Sequence, residues 1–301
     1  MTQSGKGRYA VGADVGGSHI CSAVVDLEQG TLCGAPVTTP VDSGAGASEI
    51  LGDWADNIRQ VIAASGVECA QWQIGFAFPG PFDYERGISL VTGVSKFEAI
   101  YGLNVAESLA ARFFGEFDCE FRFVNDASAF ALGECLGGVA QDADRVVALT
   151  LGTGVGSGFV ENHKLVESGD RVPANGWVYC LPFGDGIVDE AFSTRGIVRR
   201  YRDLTGKTVA GAHEVAERCD TEDEARRLFD VYGDDLAAFA GPVLTRFNAE
   251  MLVLGGNISR AYPLFGPALE RRFAAAGIGV EVRTSFLHDR AALLGSASLF
   301  L

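Results

Sequence analysis

Positive charge is scarce in this sequence, in which 24 lysines and arginines face 39 aspartates and glutamates and give a formal net charge of −15. Nucleic acids and anionic membranes bind proteins through basic surfaces, so we expect neither as a partner. No run approaches the roughly 18 uncharged apolar residues that a membrane-spanning helix needs. The N-terminus also lacks the apolar segment of a signal peptide, which predicts a cytoplasmic protein.

Clustered metal ligands are also missing. The seven cysteines are widely spaced without a CxxC pair, and the four histidines stand singly. An odd number of scattered cysteines is typical of reduced thiols in the cytoplasm rather than of a disulfide framework. We therefore expect mostly buried, reduced cysteines, and histidines that serve as surface or packing residues.

Strand-like and helix-like segments alternate along the chain, which predicts an α/β fold. Residues 9–26 and 145–160 each form a strand pair around a glycine-rich turn. This weak internal similarity favours two related lobes with a cleft between them.

Several helix ends are marked by residue type. Ser48, Asn104 and Thr221 precede apolar-periodic segments and are expected to cap them, Thr221 as the first residue of a capping box. A continuous helix is expected over residues 187–204, ended by Gly206.

The two turns have the composition of phosphate-binding loops. Each combines glycines with a short hydroxyl residue: Gly16, Gly17 and Ser18 in "DVGGSH", and Gly152, Thr153 and Gly154 in "LGTGVGSG". Glycine leaves backbone N–H groups bare for phosphate oxygens, and the hydroxyls add donors. A single glycine-rich run is more often a flexible loop or a bulged hairpin, whereas two such turns favour phosphate binding.

These motifs resemble those of the ROK family of sugar kinases, in the actin-like ATPase superfamily, over essentially the whole chain. The matching segments follow the family's order: "VGADVGGSHI", "FAFPGPFD", "VNDASAFALGE", "LTLGTGVGSG", "MLVLGGN" and "DRAALLGSASL". The resemblance implies two actin-like ATPase (ribonuclease H-like) lobes, residues 1–123 joined by 289–301 and residues 124–288. It also implies phosphorylation of a hexose 6-hydroxyl by ATP and Mg²⁺.

Asp126 is the expected catalytic residue, because it follows a strand and a sugar hydroxyl needs a base to accept its proton. An aspartate at this position is also a common helix N-cap, and the family motif favours catalysis. The resemblance places Asp14 at the Mg²⁺–phosphate assembly, through water. Alternatively, Asp14 satisfies the amides of its turn.

The resemblance further implies two sets of binding residues. Substrate contacts fall on Gly80, Asn125, Asp126 and Asp189, and nucleoside contacts on Gly255, Gly256 and Asn257. Asp189 could instead stabilise the first turn of a helix. The glycines could form a plain strand–helix turn.

One segment departs from the family. Many members carry a Gly-Glu-x-Gly-His motif followed by CxCGxxGCxE, where this chain has Ala174 at the glutamate and Trp177 at the histidine. Cys180 remains of the three motif cysteines. One thiolate without a ligating histidine cannot make a tetrahedral zinc site, so we expect no structural zinc.

The altered segment leaves the sugar open among glucose, mannose, fructose and an N-acetylhexosamine. The sequence also leaves open polyphosphate as the donor and whether the protein forms a homodimer. Two other classes compete with a kinase. A family regulator would carry an added DNA-binding domain, which the eight residues before the first strand and the acidic charge disfavour. A binding protein without catalysis is disfavoured by the presence of Asp14, Asp126 and both turns.

Overall fold

The computed structural model describes residues 7–93 and 96–301. Their contacts group into two compact units, Met1–Gly137 with Asp289–Leu301 and Gly138–His288. Both units combine sheets with helices, which confirms the expected α/β fold. In the described part of the chain, no helix has both the length and the apolar character to cross a membrane.

The first unit contains strands β1 to β8 and four helices. The strands are β1 (Tyr9–Val15), β2 (His19–Asp26), β3 (Thr31–Leu32), β4 (Val37–Pro40), β5 (Gln71–Phe78), β6 (Phe82–Asp83), β7 (Ile88–Ser89) and β8 (Asp118–Asn125). The helices are α1 (Ala47–Ser65), α2 (Val105–Phe113), α3 (Asp126–Gly137) and, from the C-terminus, α9 (Arg290–Ala297).

The main sheet of the first unit has the strand order β3-β2-β1-β5-β8, with β4 also paired to β2. The hairpin β1–β2 is antiparallel, and β5 and β8 continue the sheet in parallel with β1. The carboxyl ends of β1, β5 and β8 therefore meet at one edge. Ligands of open α/β sheets bind at such an edge.

The second unit contains strands β9 to β15 and helices α4 to α8. The strands are β9 (Arg145–Leu151), β10 (Val155–Glu161), β11 (Lys164–Leu165), β12 (Pro182–Phe183), β13 (Gly186–Ile187), β14 (Met251–Gly255) and β15 (Glu281–Thr284). The helices are α4 (Val188–Phe192), α5 (Thr194–Thr205), α6 (Ala212–Glu217), α7 (Asp223–Phe247) and α8 (Tyr262–Ala275).

The sheet of the second unit has the order β11-β10-β9-β14-β15. It repeats the pattern of the first unit, with an antiparallel hairpin followed by two strands parallel to the first hairpin strand. Both predicted strand–glycine turn–strand segments are thus confirmed as hairpins. Each turn lies at the end of its sheet where the parallel strands finish.

Aromatic side chains fill both cores. In the first unit, the fully buried Trp54 of α1 packs edge-on against Phe78 and Phe97, with ring centroids 5.7 Å apart in each pair. In the second unit, Tyr232 of α7 packs edge-on against Phe192 and Phe265. Such edge-to-face pairs contribute roughly 0.5–1.5 kcal/mol each beyond the burial of their area.

Helix α9 packs at backbone distance against the first unit. A Cβ atom on Gly12 of β1 would lie 1.8 Å from the carbonyl oxygen of Leu293, and one on Gly295 would lie 1.7 Å from that of Ala129 in α3. No side chain fits either contact. The C-terminal residues therefore belong to the first unit, although they follow the second in sequence.

The contacts also place α3 in the first unit, because the division falls after Gly137. The sequence analysis began the second lobe at residue 124. Helix α3 follows β8 directly and packs against α9, so its neighbours are those of the first sheet.

Two of the expected helix caps are wrong. Helix α1 begins at Ala47 after Gly46, and the carbonyl and hydroxyl of Ser48 instead accept hydrogen bonds from Arg112. Helix α7 begins at Asp223 without a side-chain cap, and the hydroxyl of Thr221 donates to a backbone carbonyl. The cap at Asn104 is confirmed, since its side chain accepts from the N–H of the third residue after it.

The helix expected over 187–204 is interrupted. Ser193 adopts an extended conformation and separates α4 from α5, while Gly206 ends α5 in the left-handed region at φ 70° as expected. All seven cysteines are free thiols. The expectation that they are mostly buried is wrong, because burial is complete at Cys135 and Cys219 and partial or absent at the other five.

Candidate functional site

A cavity of about 660 Å³ lies in the first unit where β1, β5 and β8 end. It brings together five of the residues that the sequence analysis singled out: Asp14, Gly16, Gly17, Gly80 and Asp126. They come from three strand ends that are far apart in the sequence. The parallel strand arrangement is what collects them, as expected for an open α/β sheet.

The side chain that caps helix α3 is that of Asn125, the residue before Asp126. Oδ1 of Asn125 accepts hydrogen bonds from the N–H groups of Ala127 at 3.0 Å and Ser128 at 3.4 Å, so Asn125 caps helix α3. Oδ1 of Asp126 also accepts from Ala127, at 2.9 Å. Burial raises the pKa of the Asp126 carboxyl above its ordinary value. A carboxylate with a raised pKa is a stronger base than one with an ordinary pKa.

Asp14 lies in the same acidic cavity. Burial, together with the negative charges of Asp126 and Asp289, raises its pKa to about 7. Asp289, which directly precedes α9, also lines the cavity. Three carboxylates thus share one partly closed space, and the cavity has a surplus of negative charge.

The donor set fits a hard divalent cation held through water. Mg²⁺ takes oxygen ligands and keeps several of its waters, so one or two carboxylates suffice beside substrate phosphates. Within residues 7–93 and 96–301, no group of three or more His, Cys, Asp or Glu side chains is arranged to ligate a metal directly. Asp14 is the carboxylate whose raised pKa such a cation would lower.

The first glycine turn forms one wall of the cavity. A Cβ atom on Gly16 would lie 3.1 Å from Cε1 of His19. A Cβ atom on Gly17 would lie 2.7 Å from Nζ of Lys96. His19 and Lys96 therefore border the turn. Ser18, whose hydroxyl lies 3.3 Å from Nδ1 of His19, is exposed and is not among the residues described as lining the cavity.

The segment after β5 forms another wall. Gly80 is joined to Pro81 by a cis peptide bond, and an ideal Cβ on Gly80 would lie 3.4 Å from the Tyr84 hydroxyl. That hydroxyl donates to the carbonyl of Phe78 at 3.0 Å and accepts from Nδ2 of Asn125 at 3.4 Å. Tyr84 thus links this segment to Asn125. A sugar contact by Asn125 stays a prediction.

The second glycine turn lies in the second unit and is fixed by two residues from the α4–α5 region. Oδ1 of Asp189 accepts from the N–H of Val155 at 2.8 Å. The backbone N–H and the hydroxyl of Thr194 both donate to the carbonyl of Gly152, at 2.8 and 3.0 Å. Because the chain breaks between α4 and α5, Thr194 lies within hydrogen-bond distance of the turn. Thr153 and Gly154 between these bonds are exposed.

Asp189 also pairs with Arg195, whose Nη2 lies 2.6 Å from Oδ2. Both of its oxygens consequently have partners within the second unit. These bonds fix the turn. A contact between Asp189 and the sugar stays a prediction.

A second cavity, of about 670 Å³, lies in the second unit beside this turn. Asn257 and Thr194 line it together with mainly apolar residues, among them Phe229 and Pro263, and with Arg260. Mainly apolar walls with a few polar groups are typical of sites for planar ligands such as a nucleobase. Of the three residues predicted for the nucleoside, Asn257 is the one described as part of this wall.

Gly255 and Gly256 act through the backbone instead. Gly255 ends β14, and Gly256 has a φ of 77°. A Cβ on Gly256 would lie 2.4 Å from the carbonyl oxygen of Leu151. Glycine is required there because the chain turns sharply from the strand towards Asn257.

Sequence reasoning missed several cavity residues, notably Asp289, Lys96 and His19 in the first unit and Arg260 in the second. Asp289 and His19 lie within motifs that were recognised, and this position was the available signal. Lys96 lies outside every recognised motif. It reaches the turn through the packing of its loop.

Comparison with known proteins identifies relatives along nearly the full chain. The model of the ROK family matches residues 10–301. A glucokinase of Thermotoga maritima is 30% identical, with 96% of each chain covered. An N-acetyl-D-glucosamine kinase of Mannheimia succiniciproducens is 27% identical over 96% of this chain and 98% of the relative.

Solved structures share the fold. The ROK hexokinase of Thermus thermophilus superposes with a TM-score of 0.79 at 22% identity, covering 96% of this chain and 97% of that one. A ROK glucokinase of Streptomyces griseus, crystallised with glucose and AMPPNP, gives a TM-score of 0.70 at 21% identity and covers 97% and 98%. The chain therefore shares the fold of these two proteins, and it belongs to the ROK family.

Proposed function

We propose that this protein is an ATP-dependent kinase that phosphorylates the 6-hydroxyl of a hexose. The observation that carries the proposal is the cavity of the first unit, in which Asp126 and Asp14 face the same space as Gly80 and the glycine turn. A base with a raised pKa, a phosphate-binding turn and a metal-facing carboxylate are the parts that phosphoryl transfer requires. The relatives named as sugar kinases support the same chemistry.

Asp126 acts as the general base in this proposal. Its carboxylate accepts the proton of the 6-hydroxyl while the oxygen forms a bond to the γ-phosphorus of ATP. The bond between that phosphorus and the bridging oxygen of ADP breaks, so the products are hexose 6-phosphate and ADP. Burial favours this role, because it raises the proton affinity of the Asp126 carboxylate.

The remaining groups bind and orient the substrates. Backbone N–H groups of Gly17, Thr153 and Gly154 hold phosphate oxygens, since those of Gly16 and Gly152 already donate to the carbonyls of His19 and Gly154. The cavity around Asn257 holds the nucleoside. Gly80, Asn125 and Asp189 are proposed to contact the sugar. Mg²⁺, facing Asp14 through water, would neutralise charge on the phosphates.

Glucose is the first acceptor to test and N-acetylglucosamine the second, because relatives of both specificities match this chain at similar identity. The half-buried Trp177, whose ring centroid lies 6.0 Å from that of Tyr179, stands where many family members have a histidine. This pair alters the segment that the resemblance connects with the sugar.

A sugar panel tests the proposal. Purified protein is incubated with Mg²⁺ and either ATP or polyphosphate, together with glucose, mannose, fructose, N-acetylglucosamine or 6-deoxyglucose. We expect sugar-dependent ADP release and a product heavier by one phosphoryl group with at least one hexose, and none with 6-deoxyglucose. ATP turnover that no sugar stimulates would refute the kinase, and equal reaction of 6-deoxyglucose would refute the 6-hydroxyl as acceptor.

A further inference from the structure

The side chain of Lys96 packs so closely against the first glycine turn that a side chain on Gly17 would clash with it. An ideal Cβ on Gly17 would lie 2.7 Å from Nζ of Lys96 and 3.0 Å from its Cδ. The lysine stem therefore lies along the bare backbone of the turn. Its ammonium group is held at the surface that faces the cavity.

Among the described residues that line the cavity, Lys96 is the only lysine or arginine. The same cavity is lined by Asp14, Asp126 and Asp289. Within the described chain, no carboxylate lies close enough to Lys96 to form a salt bridge. Other basic side chains of the first unit, such as Arg59 and Arg122, are paired with glutamates. Among the described residues, no acidic side chain therefore engages the donors of the Lys96 ammonium, and they can reach a ligand.

The position of Lys96 favours an anionic oxygen as that ligand. An ammonium group offers three donors and no acceptor, and a lysine beside a glycine-rich turn is a common phosphate binder. A neutral hexose supplies only hydroxyls, which the neighbouring carboxylates can already bind. The transferring phosphoryl group instead carries charge on its equatorial oxygens throughout the reaction.

We propose that Lys96 is a catalytic residue that binds an oxygen of the transferring phosphoryl group against the Gly16–Gly17 turn. This inference rests on the proposed kinase function and adds a residue to it. The ammonium would strengthen its interaction as the phosphoryl group moves from ADP to the sugar oxygen. Preorganised donors of this kind typically contribute about 10²–10³-fold to turnover.

The experiment compares Lys96→Met, which keeps the length of the stem, with Lys96→Arg, which restores the charge. Lys164→Met serves as the matched control, since Lys164 is exposed on the edge strand β11 of the second unit. For each variant we measure kcat, the KM of the preferred sugar, the melting temperature, and the affinities for AMPPNP and ADP by calorimetry. The nucleotide titrations need no turnover and include Mg²⁺.

We expect Lys96→Met to lower kcat by about 10²-fold with little change in sugar KM, and Lys96→Arg to recover part of the loss. Lys96→Met should also reduce the preference for AMPPNP over ADP, whereas Lys164→Met should match wild type in every measurement. An unchanged nucleotide preference would overturn the proposal even if the protein phosphorylates a sugar. If no sugar is phosphorylated, the kinase function fails, and the nucleotide preference still decides the role of Lys96.

An acidic acceptor is the other source of an anionic oxygen. Binding of glucose and glucuronate is therefore measured for wild type and Lys96→Met. If wild type prefers glucuronate, and Lys96→Met loses that preference but keeps its preference for AMPPNP, the anion belongs to the acceptor and the phosphoryl proposal is wrong. A lower melting temperature of Lys96→Met, with nucleotide preference unchanged, would make the role of Lys96 structural.

Discussion

The two glycine turns share a topology and differ in their surroundings. The turn of the first unit borders a cavity with three carboxylates, a lysine and a histidine. The turn of the second unit is tied by Asp189 and Thr194, whose bonds engage the backbone on both sides of Thr153. The first environment contains groups that can exchange protons or bind charge, and the second fixes a backbone conformation.

This difference indicates that the first turn lies at the reacting groups, whereas the second turn positions a ligand. Carboxyl groups with raised pKa values are costly to ionise unless a ligand neutralises them, so the raised pKa values of Asp14 and Asp126 at the first turn point to a reacting or metal-facing site. A turn whose neighbours are already bonded has little freedom left and suits a rigid contact with a ligand. The first turn should therefore respond most strongly to changes of charge, and the second to the loss of hydrogen bonds.

The largest expected effect is on turnover, from Asp126→Asn. The change removes the base and keeps the size of the side chain, so kcat should fall by about 10²–10⁴-fold. Thermal stability should not fall, because Asn125 caps α3 and an asparagine at 126 can still accept from the N–H of Ala127. Steady-state kinetics and thermal melting measure the two effects.

Asp118→Asn is the matched control for this variant, because Asp118 is exposed at the other end of β8. It should have wild-type turnover. If Asp126→Asn phosphorylates sugar at nearly the rate of this control, Asp126 is not the base. ATP affinity should change little in both variants, since both turns are intact.

A smaller effect is expected on the pH dependence of stability, from Asp14→Asn. The folded pKa of Asp14 is about 7, against an ordinary value of 3.8. Between these values the folded protein keeps a proton that the unfolded chain has lost, so Asp14 makes stability fall as pH rises from about 4 to 7. Above pH 7 the cost is complete, at about 1.4 kcal/mol per pKa unit.

The Asp14→Asn variant without divalent cations should therefore gain stability over wild type at pH 8, on the order of 4 kcal/mol, and less than half of that at pH 5. Urea unfolding at both pH values measures the difference. Mg²⁺ together with nucleotide should reduce the advantage of the variant at pH 8, because the cation neutralises the wild-type carboxylate. An equal difference at pH 5 and pH 8 would show that Asp14 does not titrate in this range.

The sequence predicted the hairpins and the residues around the first turn, but it did not predict the side-chain hydrogen bonds that fix the second turn. Both hairpins, the α/β alternation and the gathering of Asp14, Gly80 and Asp126 follow from local patterns and from the rule that parallel strand ends meet. Asn125 was predicted as a substrate contact, while the structure shows it capping α3. Neighbouring cap candidates have equal local propensity, so the choice between 125 and 126 depends on packing.

Residues that act through tertiary packing could not be found in this way. Ser193 and Thr194 interrupt a predicted helix because Thr194 bonds to Gly152, which is far away in the sequence. Lys96 reaches Gly17 through the fold of its loop, and no local pattern marks it. Ser48 and Thr221 have the right residue type for caps, but both hydrogen-bond to other groups.

A further, more modest effect is expected from Asp189→Ala at the second turn. Loss of the carboxylate leaves the N–H of Val155 and the Arg195 guanidinium without this partner. Hydrogen bonds to charged groups contribute about 1.5–3 kcal/mol, so the KM for ATP should rise by about tenfold or more. Steady-state titrations of ATP and of the preferred sugar separate the two roles of Asp189.

Glu190→Ala is a neighbouring control, because Glu190 lies in the same first turn of α4 and its carboxylate is not bonded to Val155. It should leave the KM for ATP near wild type. If Asp189→Ala raises the KM of the sugar and not that of ATP, Asp189 acts as the sugar contact that the resemblance implies, and its bond to the turn is secondary.

The smallest expected effect is that of removing zinc, for which we predict no change. In the segment for which the family resemblance implies a zinc site, the described residues include no group of His, Cys, Asp or Glu side chains that could hold a metal, and the Cys180 thiol is exposed. The second turn is instead fixed by Asp189 and Thr194, and the Ser157 hydroxyl donates to the carbonyl of Gly176 at 2.5 Å and accepts from the N–H of Val178 at 3.1 Å. These bonds can hold the segment in place of a metal.

Elemental analysis should find no stoichiometric zinc, and a zinc-selective chelator should leave the melting temperature and the Mg²⁺-dependent activity unchanged. About one zinc per chain, lost together with stability on chelation, would show that the second turn depends on a metal after all.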